Sequence, residues 1–186
     1  PQATEVATNN APTLSASTLD DVGYGAAVDD AIGTITGADA DGDTLFYSIT
    51  AGNGDDLFAI NSSTGAITVN ASLAAKSSTT HSLTVKALDT SGDSASATVT
   101  ISVVDEVGPV ITRTGASFVS HEVATTYTDA GVSATDAIDG TVTVTTTGSV
   151  KADTTGTYML TFSATDAASN TSTTTRMVRV ADTVAP

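Results

Sequence analysis

Apolar and hydroxyl-bearing residues alternate with a period of two along most of this chain, which is the period of a strand with one buried face. Leu83, Val85 and Ala87 share one face, and so do Val99, Ile101 and Val103, with Thr98, Thr100 and Ser102 opposite. Further on, Tyr158, Leu160, Phe162 and Ala164 alternate with Met159, Thr161 and Ser163. In the last run Val178 and Val180 face inward, and Arg176 and Arg179 are expected on the opposite side. The turn pairs Asp41-Gly42, Asn53-Gly54, Ser91-Gly92 and Asp139-Gly140 separate these short runs. Frequent turns between alternating runs predict an all-β chain of antiparallel sandwich type. No segment reads as an amphipathic helix.

At 186 residues, the chain has room for two sandwich domains, since roughly 80 to 100 residues suffice to bury such a core. Its own punctuation agrees. Asn10-Ala11-Pro12, Val107-Gly108-Pro109 and Val184-Ala185-Pro186 are X-Pro junctions, and an acidic residue stands four positions before Pro in both Asp105-Glu106-Val107-Gly108-Pro109 and Asp182-Thr183-Val184-Ala185-Pro186. The expected division is a linker at 1–9, a first domain at 10–106 and a second at 107–186. Repetition of the junction phrase leads to the expectation that these modules belong to a longer array.

Charge narrows the classes of partner. Six Lys and Arg stand against 21 Asp and Glu, for a net charge of −15, so phosphate backbones and anionic lipid would be repelled. Nucleic acid is therefore not an expected partner. Direct membrane insertion is not expected either, because no run approaches ~20 consecutive apolar residues. No Cys is present, which excludes disulfides and thiolate metal sites. A soluble monomer is expected, with any export signal outside this sequence.

The acidic residues are not spread evenly. Asp39-Ala40-Asp41-Gly42-Asp43 is followed by Ala87-Leu88-Asp89, and Ala134-Thr135-Asp136-Ala137-Ile138-Asp139-Gly140 by Ala164-Thr165-Asp166. Carboxylates this close, with few bases to pair them, call for a divalent cation, and calcium takes six to eight oxygens of this kind at roughly 2.3 to 2.6 Å. An EF-hand starting at Asp39 fails, because Thr44 and Thr50 stand where Gly and Glu are needed. His81, at the start of a predicted strand, and His121, in a predicted loop, have no zinc spacing. Gly23-Tyr24-Gly25 reads as a turn, and the Asn-x-Ser patterns at Asn61, Asn70 and Asn170 are what a Ser- and Thr-rich chain produces by chance. Nothing places a base beside a nucleophile, so no residue is assigned a catalytic role and no enzyme activity is expected.

In this order and spacing, several short elements resemble a bacterial cadherin-like repeat over residues 10–106. They are Gly33-Thr34-Ile35-Thr36, Asp39-Ala40-Asp41-Gly42-Asp43, Tyr47-Ser48-Ile49, Phe58-Ala59-Ile60-Asn61, Thr64-Gly65-Ala66-Ile67 and Leu83-Thr84-Val85-Lys86-Ala87-Leu88-Asp89. Residues 107–186 are similar to the immunoglobulin-like repeats found in tandem in bacterial surface proteins, through Pro109-Val110-Ile111, Tyr127-Thr128-Asp129-Ala130-Gly131, Gly156-Thr157-Tyr158 and Ala164-Thr165-Asp166-Ala167-Ala168-Ser169-Asn170. The resemblance implies two Greek-key sandwiches with calcium at the seams between modules. Asp39, Asp41 and Asp89 match the ligands of the leading pole, and Asn10 matches the end of the linker. Ala7, Thr8 and Asn9 stand where that linker carries Asp or Asn, and Lys76 occupies a ligand position at the trailing pole. What remains for the second seam is Asp20 or Asp21, the linker pair Asp105 and Glu106, and Asp136, Asp139 and Asp166, enough for one ion rather than three.

The function implied is that of a calcium-stiffened extender or adhesion segment of a large bacterial surface or secreted protein. Its expected partners are neighbouring repeats of the same chain and a glycan or cell-surface receptor. The alternative is a calcium-dependent carbohydrate-binding module of a secreted polysaccharide-degrading enzyme. That alternative wants exposed aromatic platforms, yet Trp is absent and Tyr47 and Tyr158 sit in core strand patterns.

Overall fold

The computed structural model describes residues 8–74 and 79–184. Ala7, Lys76, Ala185 and Pro186, which carry expectations above, lie outside them. Every regular element is a strand, and no helix occurs among the described residues. The chain divides into two compact units, Pro1–Asp105 and Glu106–Pro186.

The first unit is a sandwich of two sheets. One is built on the long hairpin of β7 (Thr79–Leu88) and β8 (Ser94–Val104), with β4 (Phe46–Ala51) beside β7. Two short strands, β1 (Ser17–Thr18) and β2 (Val22–Gly23), lie along the other edge of β8. Facing this sheet are β3 (Ala31–Thr34), β6 (Ala66–Val69) and β5 (Phe58–Ile60), in that order. The parity seen in the sequence decides which side chains are interior: Leu83, Val85, Ala87, Val99, Ile101 and Val103 are all fully buried, against Phe58, Ile67 and Val69 from the opposite sheet. Each such aliphatic side chain contributes roughly 1.5–3 kcal/mol by leaving water.

The second unit repeats the scheme. Its long hairpin is β14 (Gly156–Thr165) and β15 (Thr171–Ala181), flanked by β13 (Val144–Thr147) and β10 (Phe118–Glu122). The facing sheet runs β12 (Gly140–Val142), β11 (Val132–Asp136), β9 (Val110–Arg113). Pairing is antiparallel except where β1 and β2 run parallel to β8, and β10 parallel to β15. In each unit these parallel strands cover the outer edge of the last long strand, an edge that would otherwise expose unpaired backbone.

Two expectations are corrected in the second unit. Arg176 is on the core face, 1% exposed, beside Val178 and Val180. Its position two and four residues before those valines puts it on their face, and the core has room for it because apart from Leu160, Phe162 and the valines it is lined by Ala134 and Ala164. The guanidinium lies over the Phe162 ring, donates to the carbonyls of Thr114 and Ala116, and pairs with Asp129. His121 lies in β10 instead of a loop, and its ring meets Tyr127 edge-on.

Candidate metal centre

Both long hairpins end in the same turn. In the first unit Asp89 follows β7; its NH donates to the carbonyl of Asp93, and its Oδ1 accepts from the NH groups of Ser91, Gly92 and Asp93 at 2.7–2.9 Å. In the second unit Asp166 follows β14; its NH donates to the carbonyl of Asn170, and its Oδ1 accepts from the NH of Asn170 at 2.7 Å. A short Asp side chain at this place bends back to cap its own loop, and in doing so it is drawn in from solvent: Asp89 and Asp166 are 2% and 8% exposed.

Beside Asp166 stands Asp136, at the end of β11, where the chain turns into β12 through Gly140 at φ +73. Asp136 Oδ1 accepts from the NH of Ile138 at 2.7 Å and of Asp139 at 3.1 Å. These two bonds hold its carboxyl below the usual range despite burial. The two loops are tied by Asp139, whose Oδ2 accepts from the NH of Ala167 at 2.7 Å. As a result, carboxylate oxygens of Asp136 and Asp166 lie within 4.8 Å of each other, both residues being buried. Among the described residues no basic side chain pairs with either. Asp166 Oδ2 also accepts from the side-chain amide of Asn170 at 3.0 Å. A carboxylate has about four acceptor sites, so these bonds still leave capacity on both. Close, buried, all-oxygen and without a base, this donor set suits a hard cation and neither zinc nor copper.

The first unit's pole gathers the other cluster. Asp39 Oδ1 accepts from the NH groups of Asp41 and Asp43 at 2.9 and 3.2 Å, while its Oδ2 is buried with no hydrogen-bond partner. Asp41, exposed, takes the NH and the side-chain amide of Asn10 at 2.6–3.2 Å. The amide of Asn9 donates to both Asp89 and Asp93, at 2.9 and 2.8 Å. That amide first, then the turn NH groups, outweigh burial and hold the Asp89 carboxyl below its ordinary value. The orphan oxygen of Asp39 fits a cation; the amides on Asp41 and Asp89 occupy acceptor sites that a cation would use.

Known proteins match the chain in two segments. Residues 25–104 match the cadherin domain family, and residues 111–180 match the family described as bacterial surface protein, Ig-like domain. A cadherin domain is followed by a bacterial surface Ig-like domain. Among solved structures, Drosophila N-cadherin EC1-4 aligns with a TM-score of 0.54 at 18% identity, over 95% of this chain and 50% of that one. Human desmocollin-1 ectodomain aligns at 0.51 and 17% identity, over 94% and 42%. Human protocadherin-24 EC1-2 aligns at 0.51 and 16%, over 95% and 100%. This likeness is one of fold, and the chain spans half or less of the N-cadherin and desmocollin chains. No curated protein sequence matches the chain.

Cadherin domains generally bind calcium, and the two families together mark an extracellular, adhesion-type repeat whose folds are non-enzymatic. No helix among the described residues is long and apolar enough to cross a membrane. In the cadherin domain Asn10, Asp39, Asp41 and Asp89 are at one pole, Asp21 is exposed beside β2, and Asp105 is buried just beyond β8. In the Ig-like domain Asp136, Asp139 and Asp166 come together, and Glu106 is exposed. Asp93 is not among the residues the sequence points to, although Asp89 to Asp93 has the spacing of Asp166 to Asn170. Asn9, which the resemblance places in the linker, is a hydrogen-bond donor to Asp89 and Asp93.

Proposed function

We propose that this is a calcium-binding extender and adhesion segment of a bacterial surface or secreted protein, in which the ion stiffens the joint between the cadherin and Ig-like domains. One observation carries the reading: Asp136 and Asp166 hold carboxylate oxygens within 4.8 Å of each other, buried. The ion would be held by these two, with Asp139 and the linker carboxylates Asp105 and Glu106 as further oxygen donors. Bound there, calcium would supply positive charge that cancels carboxylate repulsion, so that order at the joint and binding are coupled. Asp39 with its orphan oxygen, Asp41, Asp89 and Asn10 would serve a second ion, in competition with the amides of Asn9 and Asn10.

Calorimetric calcium titration with thermal melts, on the wild type and Asp166→Ala, tests the reading. At a hundredfold excess over Kd a single ion adds about 2.7 kcal/mol to the ordered state, so calcium should raise the melting temperature and the variant should lose part of both binding and stabilisation. A wild-type melt indifferent to calcium would sink it. Small-angle scattering in chelator and in millimolar calcium tests stiffening itself, through a narrower distribution of dimensions when the ion is present.

A further inference from the structure

We propose that Asn9 and Asn10 form an amide latch that fastens the approach segment onto the leading pole of the cadherin domain without a divalent cation. The two NH bonds of the Asn9 carboxamide are split between Asp89 and Asp93, two acceptors that would otherwise repel each other. Asn10 clips Asp41 with its backbone NH and its side-chain amide together. Both residues donate hydrogen to carboxylates, which is the electrostatic task a cation would perform, and both do so at no change in net charge.

The Ig-like domain provides an internal comparison. There the equivalent turn carries Asn170 where the cadherin domain carries Asp93, and the Asn170 side-chain amide donates to Asp166 Oδ2 at 3.0 Å. In the cadherin domain the corresponding oxygen, Asp89 Oδ2, receives its amide from Asn9 instead, at 2.9 Å. An amide on this oxygen thus occurs in both domains, supplied by the turn in one and by the approach segment in the other. With Asp93 in place of Asn, the cadherin turn cannot satisfy itself and depends on Asn9. The three turn NH groups on Asp89 Oδ1 and the Asn9 amide on Oδ2 take up the acceptor sites of that carboxylate, about four in all. Asp89 therefore does not fit an ion while Asn9 is docked, whereas Asp166, with the NH and the amide of Asn170, keeps capacity.

The latch goes beyond the calcium reading, because it holds whether or not Asp136 and Asp166 bind an ion. Hydrogen exchange of the Asn10 backbone NH, followed by NMR on the whole chain, tests it. In chelator the wild-type NH should exchange about tenfold more slowly than an unstructured amide, and millimolar calcium should change that little. In Asn9→Asp, which puts a third carboxylate against Asp89 and Asp93, protection should vanish in chelator and return with calcium. An unprotected Asn10 NH in wild type under chelator overturns the latch, and so does an Asn9→Asp chain whose protection ignores calcium. The NH of Leu83, inside the β7–β8 ladder, reports that the domain remains folded in each sample. Asp166→Ala, carried in parallel, separates the two ideas: loss of calcium response there leaves the chelator result for wild type unchanged.

Discussion

Arg176 is buried in the core of the Ig-like domain with its guanidinium paired to Asp129. Asp129 is itself held by the hydroxyl of Tyr127 at 2.9 Å and the NH of Gly131 at 2.7 Å. Removing the carboxylate leaves a buried charge with only carbonyl partners. Asp129→Ala should therefore destabilise the Ig-like domain by about 3 kcal/mol. Arg176→Met, which keeps apolar contact with Phe162 and buries no charge, should cost less. Scanning calorimetry of both variants checks the order, and equal losses would show that packing, not charge, sets the cost.

The carboxylates also fix the direction of pH dependence. Burial raises the Asp129 carboxyl, but the NH of Gly131, Arg176 and Tyr127 together hold it below its ordinary value. Asp136 and Asp89 are also low, through Ile138 and Asp139 in one case and Asn9 in the other. A lowered folded-state value gives stability that is present above the unfolded value and lost as pH falls through the folded one. Melting temperature should stay level from neutral pH down to about 5 and drop below about 4. Tyr127 has the opposite sign: burial and its bond to Asp129 raise it, so its contribution is present below about 10 and lost above it. Melts across this range test both limbs, and Asp129→Asn should flatten part of the acid one.

The strands and both cores were legible because side-chain parity is a local property: Leu83, Val85 and Ala87 are buried just as their alternation requires. Arg176 was misplaced because charge was given more weight than parity, although its spacing from Val178 put it inside. The acidic loops were visible as composition, but what brings Asp136 to Asp166 is the bond from Ala167 to Asp139, a long-range contact that no spacing reveals. Asn9 has a place in the linker by resemblance, but its pairing with Asp89 and Asp93, 80 and 84 residues away, is likewise a long-range contact that spacing does not reveal.

Gly65 gives physical content to the Thr64-Gly65-Ala66-Ile67 element. Asn61 Oδ1 accepts from the NH of Ser63 and Thr64, and the chain turns through Gly65 at φ +73 so that its carbonyl receives the NH of Ile35. A Cβ there would stand 2.1 Å from the Ile35 carbonyl oxygen. Gly65→Ala should cost about 3 kcal/mol, through left-handed strain and displacement of that backbone. Urea unfolding measures it, and a loss under half that size would mean the turn can move aside.

Tyr158, near the start of β14, bends its hydroxyl back to the carbonyl of Thr154 at 2.8 Å. The bond pins the approach loop to the strand, as a tyrosine corner does in other immunoglobulin-like sandwiches. Tyr158→Phe keeps the ring and deletes one hydrogen bond. A loss of about 1 kcal/mol is expected, and calorimetry showing none would assign the tyrosine to packing alone.

Asp139 separates two ways of supporting an ion. As a ligand it would need its negative charge; as a tie between loops it needs only an acceptor for the NH of Ala167. Asp139→Asn retains an acceptor and loses the charge, whereas Asp139→Ala loses both. If the tie dominates, Asn should keep the wild-type melt in chelator and most of the calcium affinity. Ala should lower the melt by about 1 kcal/mol and weaken calcium as Asp136 and Asp166 drift apart. If the charge dominates, Asn and Ala should weaken calcium alike and differ only in the chelator melt. Titration of the two variants under identical ionic strength decides between them, because exposed charge is screened by salt and a backbone tie is not.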